Sequence, residues 1–348
     1  MTVEIVRDTR SAERSPFLSV VVPCHNVETV VLETLESLWQ MGRYKDLECL
    51  IIDDGSEDQT LAVVSAWLDQ GSKPGMLLVR QSNRGLSAVR NLGAQWAKGR
   101  WLAFLDSDDR VTPSGFSAMW AIAQSTRADL LLGGARIVES SEDTEGRPFY
   151  HHRAWQRLVT GGAIWGTTVG LSPELLALEP NVNYRWFRRE FFEHTALHFP
   201  EGRLFEDISV HFRAMLNASS VALVNAPYYL YRVNRPGKIT ESRTLRRFDA
   251  LVTLGMAADE LLSASLNGRQ AAFALRGMAR LAWGCGRMTP LSVRLAYFRG
   301  LTQLWSRLPK SWCLRSLWLW PLERPFLNGL LIIRVPHLLA LASLIRRP

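Results

Sequence analysis

The stretch NRGLSAVRNLGAQWAKGRWLAFLDSDD, residues 83–109, holds the pattern from which the fold is read. Leu86, Val89, Gly93, Trp96 and Ala97 fall on or near one face at helical spacing, which predicts a helix over 86–97. Trp101 to Leu105 is an unbroken apolar run, short enough for a buried strand, and it stops at Asp106. A helix followed by a buried strand that ends on an acid is one step of an alternating chain.

The same step recurs on both sides. Phe17 to Val22 is a β-branched run ended by Pro23 and predicts a strand. Val27, Val30, Val31, Leu35 and Leu38 predict a helix within 27–39. Leu47 to Ile52 predicts a second strand, stopping at Asp53-Asp54-Gly55-Ser56. Ser56 to Asp58 resembles a helix start, and Leu61, Val64, Ala66 and Leu68 line the helix that follows. Met76 to Val79 predicts a third strand, Pro113 to Ser125 a helix and Leu130 to Val138 a fifth strand. Such alternation implies an α/β, Rossmann-like fold: a mostly parallel central sheet flanked by helices. Ligands of these sheets lie beyond the carboxyl ends of the strands. Pro23-Cys24-His25-Asn26, Asp53-Asp54, Asn83 and Asp106-Ser107-Asp108-Asp109 all fall at those ends.

Composition narrows the class. The 348 residues are 47% hydrophobic and 21% charged, which excludes wholesale disorder and fibrous repeats. The length suits two domains, or one large core with an appendage. Cys24, Cys49, Cys285 and Cys313 are scattered without a CxxC or a Cys/His cluster, so reduced thiols are expected in place of a disulfide scaffold or structural zinc. Residues 1–16 are polar and mixed in charge, and are expected to form a flexible N-terminus without the apolar core of a secretory signal. No apolar run is long enough to predict a transmembrane helix. The net charge of +8 suits an anionic partner. No basic helix, aromatic RNA-binding strand or zinc pattern points to nucleic acid, which is not expected as a partner. Residues 140–158 read as a polar loop. A helix is predicted at 205–217, with short strands at 220–224 and 228–232, and an Arg-rich helical pattern begins beyond 241.

Four groups of residues carry chemistry. In the Asp106–Asp109 run, carboxylates on a short turn suit a hard divalent cation that also grips phosphate oxygens; the plain alternative is a solvated acidic turn. Asp53-Asp54 offers a strand-end carboxylate to a nucleobase N–H, or a cap for the next helix. Arg90, beside Asn83-Arg84-Gly85 in sequence, suits phosphate, or a salt bridge to Asp54 or Asp106. Glu206-Asp207 opens a helix whose apolar spacing is Leu204, Ile208, Phe212 and Leu216. A carboxylate there can accept a proton from an attacking hydroxyl, or simply complement the helix dipole. Neighbouring helical residues point about 100° apart, so the two acids differ in role.

The pieces VVVPCHN, LIIDDGSEDQT, NRGLSAVRNLGAQWAKGRWLAFLDSDD and FPEGRLFEDISVHFRAML stand in the order and spacing of family 2 glycosyltransferases. The chain resembles these inverting enzymes of GT-A fold over roughly residues 17–240, and most of all the bacterial ones that build surface polysaccharides. The resemblance implies a GT-A domain at 17–240 and an enzyme that moves a sugar from a nucleotide diphosphate sugar, most often UDP-linked, to a glycan or lipid-linked glycan. A divalent cation, Mn²⁺ or Mg²⁺, would be its cofactor. Pro23, His25 and Asn26 would line the nucleotide, and Asp54 would bind the base. Asn83 and Arg90 would help hold the nucleotide and sugar diphosphate, and Asp106 and Ser107 would meet the ribose or sugar. Asp108 would ligate the metal while Asp109 supports the turn. Asp207 would be the general base and Glu206 would orient the acceptor or the base. Cys24-His25 departs from the small polar residue and aromatic common at that place. In YYLYRVNRPGKIT, Arg232, Arg235 and Lys238 would clamp a diphosphate of donor or acceptor, and Thr240 would add a hydroxyl.

Residues 241–348 are expected to form a C-terminal helical region. Its last stretch, 311–348, holds Trp312, Trp318 and Trp320 and two apolar pieces split by Arg334, Pro336 and His337. Broken apolar segments with Trp and Arg suit a membrane interface better than a crossing. The expectation is a cytoplasmic protein peripheral on the inner face of the cell membrane. The alternatives are a helical subdomain packed on the protein itself and, for the whole chain, an inactive homologue that scaffolds a polysaccharide-assembly complex. A nucleotidyltransferase is disfavoured because PCHNVET lacks a glycine-rich, Lys/Arg-bearing loop.

Overall fold

The computed structural model describes residues 3–11, 15–43, 45–140, 142–143, 145–159, 164–234, 243–318 and 336–344. The chain divides into two compact units. The first comprises Met1–Thr167, Asn181–Gly202 and Ala218–Asn234; the second comprises Thr168–Pro180, Arg203–Asn217 and Arg235–Pro348. Sequence patterning predicts one boundary near residue 240. The two units interleave along the chain instead, because Arg203–Asn217 groups with the C-terminal helices.

The first unit is built on β2 (Leu18–Cys24), β3 (Leu47–Asp54), β4 (Met76–Gln81) and β5 (Trp101–Phe104), parallel strands in the order β4-β3-β2-β5. Every residue of β2 and β3 is buried, the signature of a sheet covered on both faces. β2 runs past its predicted end at Val22 to Cys24. The β5 ladder stops at Val21 opposite Phe104, so the missing N–H of Pro23 breaks no bond on that side. The helices α1 (Val31–Trp39), α2 (Thr60–Asp69) and α3 (Leu86–Trp96) join successive strands. At Gly93, α3 lies so close to Val21 of β2 that a Cβ would clash with it.

Residues 3–8 correct the expectation of a flexible N-terminus. Val3–Asp8 forms strand β1, antiparallel to β4. Five of its six residues are exposed, so backbone pairing to an open sheet edge holds it in place. That interaction leaves no hydrophobic period to read.

The remaining strands are β6 (Arg110–Val111), β7 (Leu130–Val138), β8 (Arg147–Pro148), β9 (Ile164–Thr167), β10 (Arg185–Arg188) and β11 (Val221–Arg232). β10 inserts antiparallel between β5 and β7. β11 runs parallel to β7 and antiparallel to β6. The sheet is therefore mixed, parallel through β4-β3-β2-β5 and largely antiparallel beyond. The two strands predicted at 220–224 and 228–232 are one, with its register broken between Val224 and Tyr229 around Pro227. Helix α4 (Pro113–Ser125) starts at Thr112, whose Oγ1 accepts from Gly115 N at 3.0 Å. The polar stretch 140–158 contains helix α5 (His152–Leu158), about two turns long, with Trp155 and Leu158 as its buried residues and too short for a period to show. Helix α6 (Arg189–His194) follows β10.

The second unit is helical: α7 (Asp207–Asn217), α8 (Asp249–Ser263), α9 (Gly268–Met288), α10 (Leu291–Ser306), α11 (Lys310–Trp318) and α12 (Pro336–Ala342). Asn267 and Gln270 form a capping box at the start of α9. Gly277 of α9 packs on the 3₁₀ turn Pro173–Ala177, where a Cβ would stand 2.7 Å from Leu176 O. Arg294 donates to Ser343 Oγ at 3.3 Å and ties α10 to the segment after α12. Among the described residues no helix is long and apolar enough to cross a membrane. Trp320 and Arg334 lie outside the described residues. All four cysteines are free and buried.

Candidate active site

The first unit gathers its polar residues where β2, β3, β4 and β5 end. After Cys24 the chain turns through Asn26, which adopts φ 51°, a left-handed conformation that Asn tolerates better than most residues. Asn26 N donates to Ser56 Oγ at 3.1 Å, and Asn26 Oδ1 accepts from Glu57 N at 2.9 Å. Val27 N donates to Thr60 Oγ1 at 2.8 Å, so the loops after β2 and β3 are laced together. The exposed His25 ring donates from Nδ1 to the Asp54 carbonyl at 3.0 Å. Its Nε2 accepts from the amides of Asn83 at 3.2 Å and Asn26 at 3.3 Å. His25, Asn26 and Asn83 thus form an exposed polar rim over buried strand ends.

Asp54 is 3% exposed. Its Oδ1 accepts from Gln81 Nε2 at 2.7 Å and Arg84 N at 2.9 Å, and its Oδ2 accepts from Gly85 N at 2.7 Å. The carboxylate therefore anchors the loop that leads into α3, and Oδ2 keeps a lone pair for a further donor. Gly55 makes this anchorage possible. It holds φ +66°, and a Cβ there would stand 2.8 Å from Asn83 N.

Arg90 is buried rather than presented to solvent. Its Nη2 donates to Asp106 Oδ1 at 2.7 Å, and its guanidinium lies 5.3 Å from the Phe199 ring centre. Of the roles open to Arg90 in the sequence, the ion pair with Asp106 is the one seen. Asp106 Oδ2 accepts from Asn183 Nδ2 at 2.9 Å, so both its oxygens are held. Asp109 accepts from the Tyr229 hydroxyl at Oδ2 and from Arg232 N at Oδ1, the latter at 2.7 Å. Burial, and then the neighbouring Asp109 and Asp106, push the Tyr229 phenol well above its usual range, so it remains a proton donor. Ser107 and Asp108, both buried, sit between the two anchored acids.

Arg232 pairs with Glu33 of α1 through its guanidinium. Arg235, Lys238 and Thr240 lie outside the described residues. Sequence reading missed Gln81, Asn183, Tyr229 and Glu33. Only Tyr229 carried a signal, its place in the YYLYR run.

Within the second unit, Glu206 is buried and Asp207 half-buried at the first position of α7. The preceding Phe205 adopts φ 62°, costly for an aromatic residue. Its conformation is held from both sides: Ile208 N donates to Phe205 O at 3.2 Å, and the Arg247 guanidinium lies 5.4 Å from the Phe205 ring centre. Leu204 N donates to Asp249 Oδ2 at 3.1 Å. The acid pair therefore leaves a constrained turn.

Among the described residues, no group of three or more His, Cys, Asp or Glu side chains converges as a cation site. Mg²⁺ and Mn²⁺ bound to nucleotides commonly use one or two carboxylates and take the remaining ligands from phosphate and water. Asp106, Asp108 and Asp109 give this one turn three hard oxygen donors, of which Asp108 lies between the two anchored acids. The donor set fits such an ion.

A mixed α/β sheet with acids and amides at the ends of its parallel strands has the architecture of a GT-A fold, and places its polar groups where such sheets bind ligands. Residues 19–195 match the description Glycosyl transferase family 2. The chain belongs to that family and is a glycosyltransferase. The succinoglycan biosynthesis protein ExoO of Rhizobium meliloti is 30% identical over 254 residues, 71% of this chain and 68% of that protein. The uncharacterized glycosyltransferase EpsJ of Bacillus subtilis is 27% identical over 236 residues, and the match spans 65% of this chain and 63% of EpsJ. Among solved structures, Staphylococcus aureus TarS in complex with UDP-GlcNAc superposes with a TM-score of 0.74 at 21% identity, covering 94% of this chain and 88% of that one.

Proposed function

We propose that the chain transfers a sugar from a UDP-sugar to a hydroxyl of a glycan or lipid-linked glycan in cell-surface polysaccharide biosynthesis, with Asp207 as general base. The observation that carries this reading is the row of side chains at the ends of adjacent strands: His25, Asn26, Asp54, Asn83, Asp106 and Asp108, in a family 2 chain. The donor is inferred from TarS, whose structure contains UDP-GlcNAc. A mannosyltransferase of Pyrobaculum calidifontis, 15% identical with a TM-score of 0.54, was solved with GDP-Man and Mn²⁺ and supports the use of a divalent cation.

The reaction replaces the bond from the anomeric carbon to the diphosphate with a bond to the acceptor oxygen. In-line attack inverts the centre through an oxocarbenium-like transition state. The hydroxyl is a weak nucleophile, and Asp207 takes its proton as the new bond forms. Glu206 orients the acceptor or the base. Asp108 would hold Mn²⁺ or Mg²⁺, which neutralises charge on the departing diphosphate. Asp54 accepts the base N–H at Oδ2 while anchoring its loop. Pro23, His25, Asn26 and Asn83 line the nucleotide. Arg90 acts through Asp106, which meets the ribose or sugar together with Ser107. Arg235 and Lys238 add positive charge for a diphosphate, while the Arg232 guanidinium pairs with Glu33.

A thermal-shift screen of UDP-, GDP- and dTDP-sugars with Mn²⁺ tests the donor. Saturation at 100-fold over Kd adds about 2.7 kcal/mol to the folded state. For a unit of this size that raises Tm by roughly 5–10 °C with the UDP-sugar. No shift with any of these donors overturns the reading.

The proposed place of work is the cytoplasmic face of the membrane. Leu338, Leu341 and Leu344 are 43, 60 and 54% exposed. Arg334, Arg346 and Arg347 flank them in sequence. Exposed leucines between cationic residues suit an anionic lipid interface. The protein is expected to float with phosphatidylglycerol vesicles, and Leu338→Glu/Leu341→Glu/Leu344→Glu to stay in the soluble fraction. Equal flotation of the two removes this surface as the contact.

A further inference from the structure

We propose that Tyr229 and Asn183 are positioning residues that bracket the Asp106–Asp109 turn and aim Asp108 at the cation, an inference that rests on the metal assignment above. Both residues are fully buried. The Tyr229 hydroxyl accepts from Asn183 Nδ2 at 3.3 Å and Asn181 Nδ2 at 3.4 Å, and donates its one proton to Asp109 Oδ2. A hydroxyl has one donor and two acceptor sites, so its capacity is filled and the direction of the chain is set. Asn183 Nδ2 also donates to Asp106 Oδ2 at 2.9 Å. One amide and one phenol thus hold the acids on both sides of Ser107-Asp108.

Three further observations support the bracket. Asp109 is fixed elsewhere as well: its Oδ1 accepts from Arg232 N at 2.7 Å, and its carbonyl accepts from Thr34 Oγ1 at 2.7 Å. Asp109 N donates to Asp106 O at 3.0 Å and closes the turn. Asn183 Oδ1 is buried without a hydrogen-bond partner among the described residues. A buried orphan acceptor costs about 1–3 kcal/mol. The amide is therefore a poor choice for stability alone, and its two donor bonds account for its presence. The sheet register explains the reach: Tyr229 pairs with Val111 of β6, the strand that leaves the turn.

The test is Mn²⁺ binding in the presence of UDP, followed by electron paramagnetic resonance of the free ion, with Tm recorded for each variant. Loss of an outer partner of a metal ligand commonly weakens affinity 10–100-fold. Because Tyr229 and Asn183 act on Asp108 through its neighbours Asp109 and Asp106, Tyr229→Phe and Asn183→Ala are each expected to raise the Mn²⁺ dissociation constant about tenfold, the low end of that range. Asp108→Asn is expected to bind no more Mn²⁺ than UDP does alone. Asn183→Ala keeps the Tyr229–Asp109 bond and carries the test if Tyr229→Phe does not fold. Wild-type Mn²⁺ affinity in folded Tyr229→Phe or Asn183→Ala, with binding lost in Asp108→Asn, overturns the bracket and leaves the metal assignment standing. Wild-type affinity in Asp108→Asn overturns the assignment, and the bracket with it.

Discussion

Asp207→Asn is expected to lower kcat for sugar transfer about 10²–10⁴-fold, the usual contribution of a positioned general base, which is the role proposed for Asp207. Asparagine keeps the shape of the side chain and its place at the first position of α7, but cannot take the acceptor proton. Donor binding precedes that step, so the Kd for UDP-sugar and the Tm of the donor complex stay at wild-type values. Glu206→Gln is expected to have a smaller effect, mainly on the acceptor KM, because Glu206 lies in the turn before α7 and Asp207 is the helix's first residue, so the two acids occupy different backbone settings. The split between kcat and acceptor KM is read from steady-state kinetics with a saturating donor. A wild-type rate in Asp207→Asn removes it as the base. The same assay separates an enzyme from a scaffold, which has no turnover to lose.

Asp54→Ala acts on stability and donor binding together. Three donors, Gln81 Nε2, Arg84 N and Gly85 N, converge on this carboxylate. Hydrogen bonds to a charged group contribute about 1.5–3 kcal/mol each, and solvent compensates part of the loss at the half-buried amides, leaving a cost of about 3 kcal/mol. Tm of the unliganded protein falls by roughly 6–12 °C on the scaling for a unit of about 200 residues. Hydrogen exchange speeds up at 82–88, where the entry to α3 loses its anchor. Asp54→Asn separates the two duties. It keeps an acceptor oxygen for part of the loop but sets an amide N–H where the proposed base contact needs an acceptor, so donor affinity is expected to fall more than Tm. A Tm unchanged in Asp54→Ala contradicts the anchoring role.

Most of the first unit could be read before any coordinates. Helix and strand periods show at once in 83–109, and the boundaries at 113–125 and 130–138 agree with α4 and β7. The acids were found because β2, β3 and β5 are parallel neighbours, which puts their carboxyl ends at one edge. What escaped were features without a local period. β1 is held by backbone pairing, β10 is four residues long, and α5 is about two turns with two buried apolar side chains. Asn183 was invisible because a buried amide in NVNYR resembles any loop asparagine. Arg232 was expected at a diphosphate, yet its guanidinium pairs with Glu33, 199 residues away in sequence.

The sequence by itself determined the order of elements, the family and the edge of the sheet at which chemistry is placed. The order and the edge follow from apolar spacing within one element and from the right-handed return of parallel strands, which are local or nearly local properties, and the family from four motifs standing in order. Only the tertiary structure decided which groups hold the acids. Arg90 meets Asp106 across 16 residues, Asn183 meets Asp106 across 77, and Tyr229 meets Asp109 across 120. Those pairings depend on register and burial in the assembled sheet, where a desolvated carboxylate must find a donor, and short-range spacing does not encode which donor arrives.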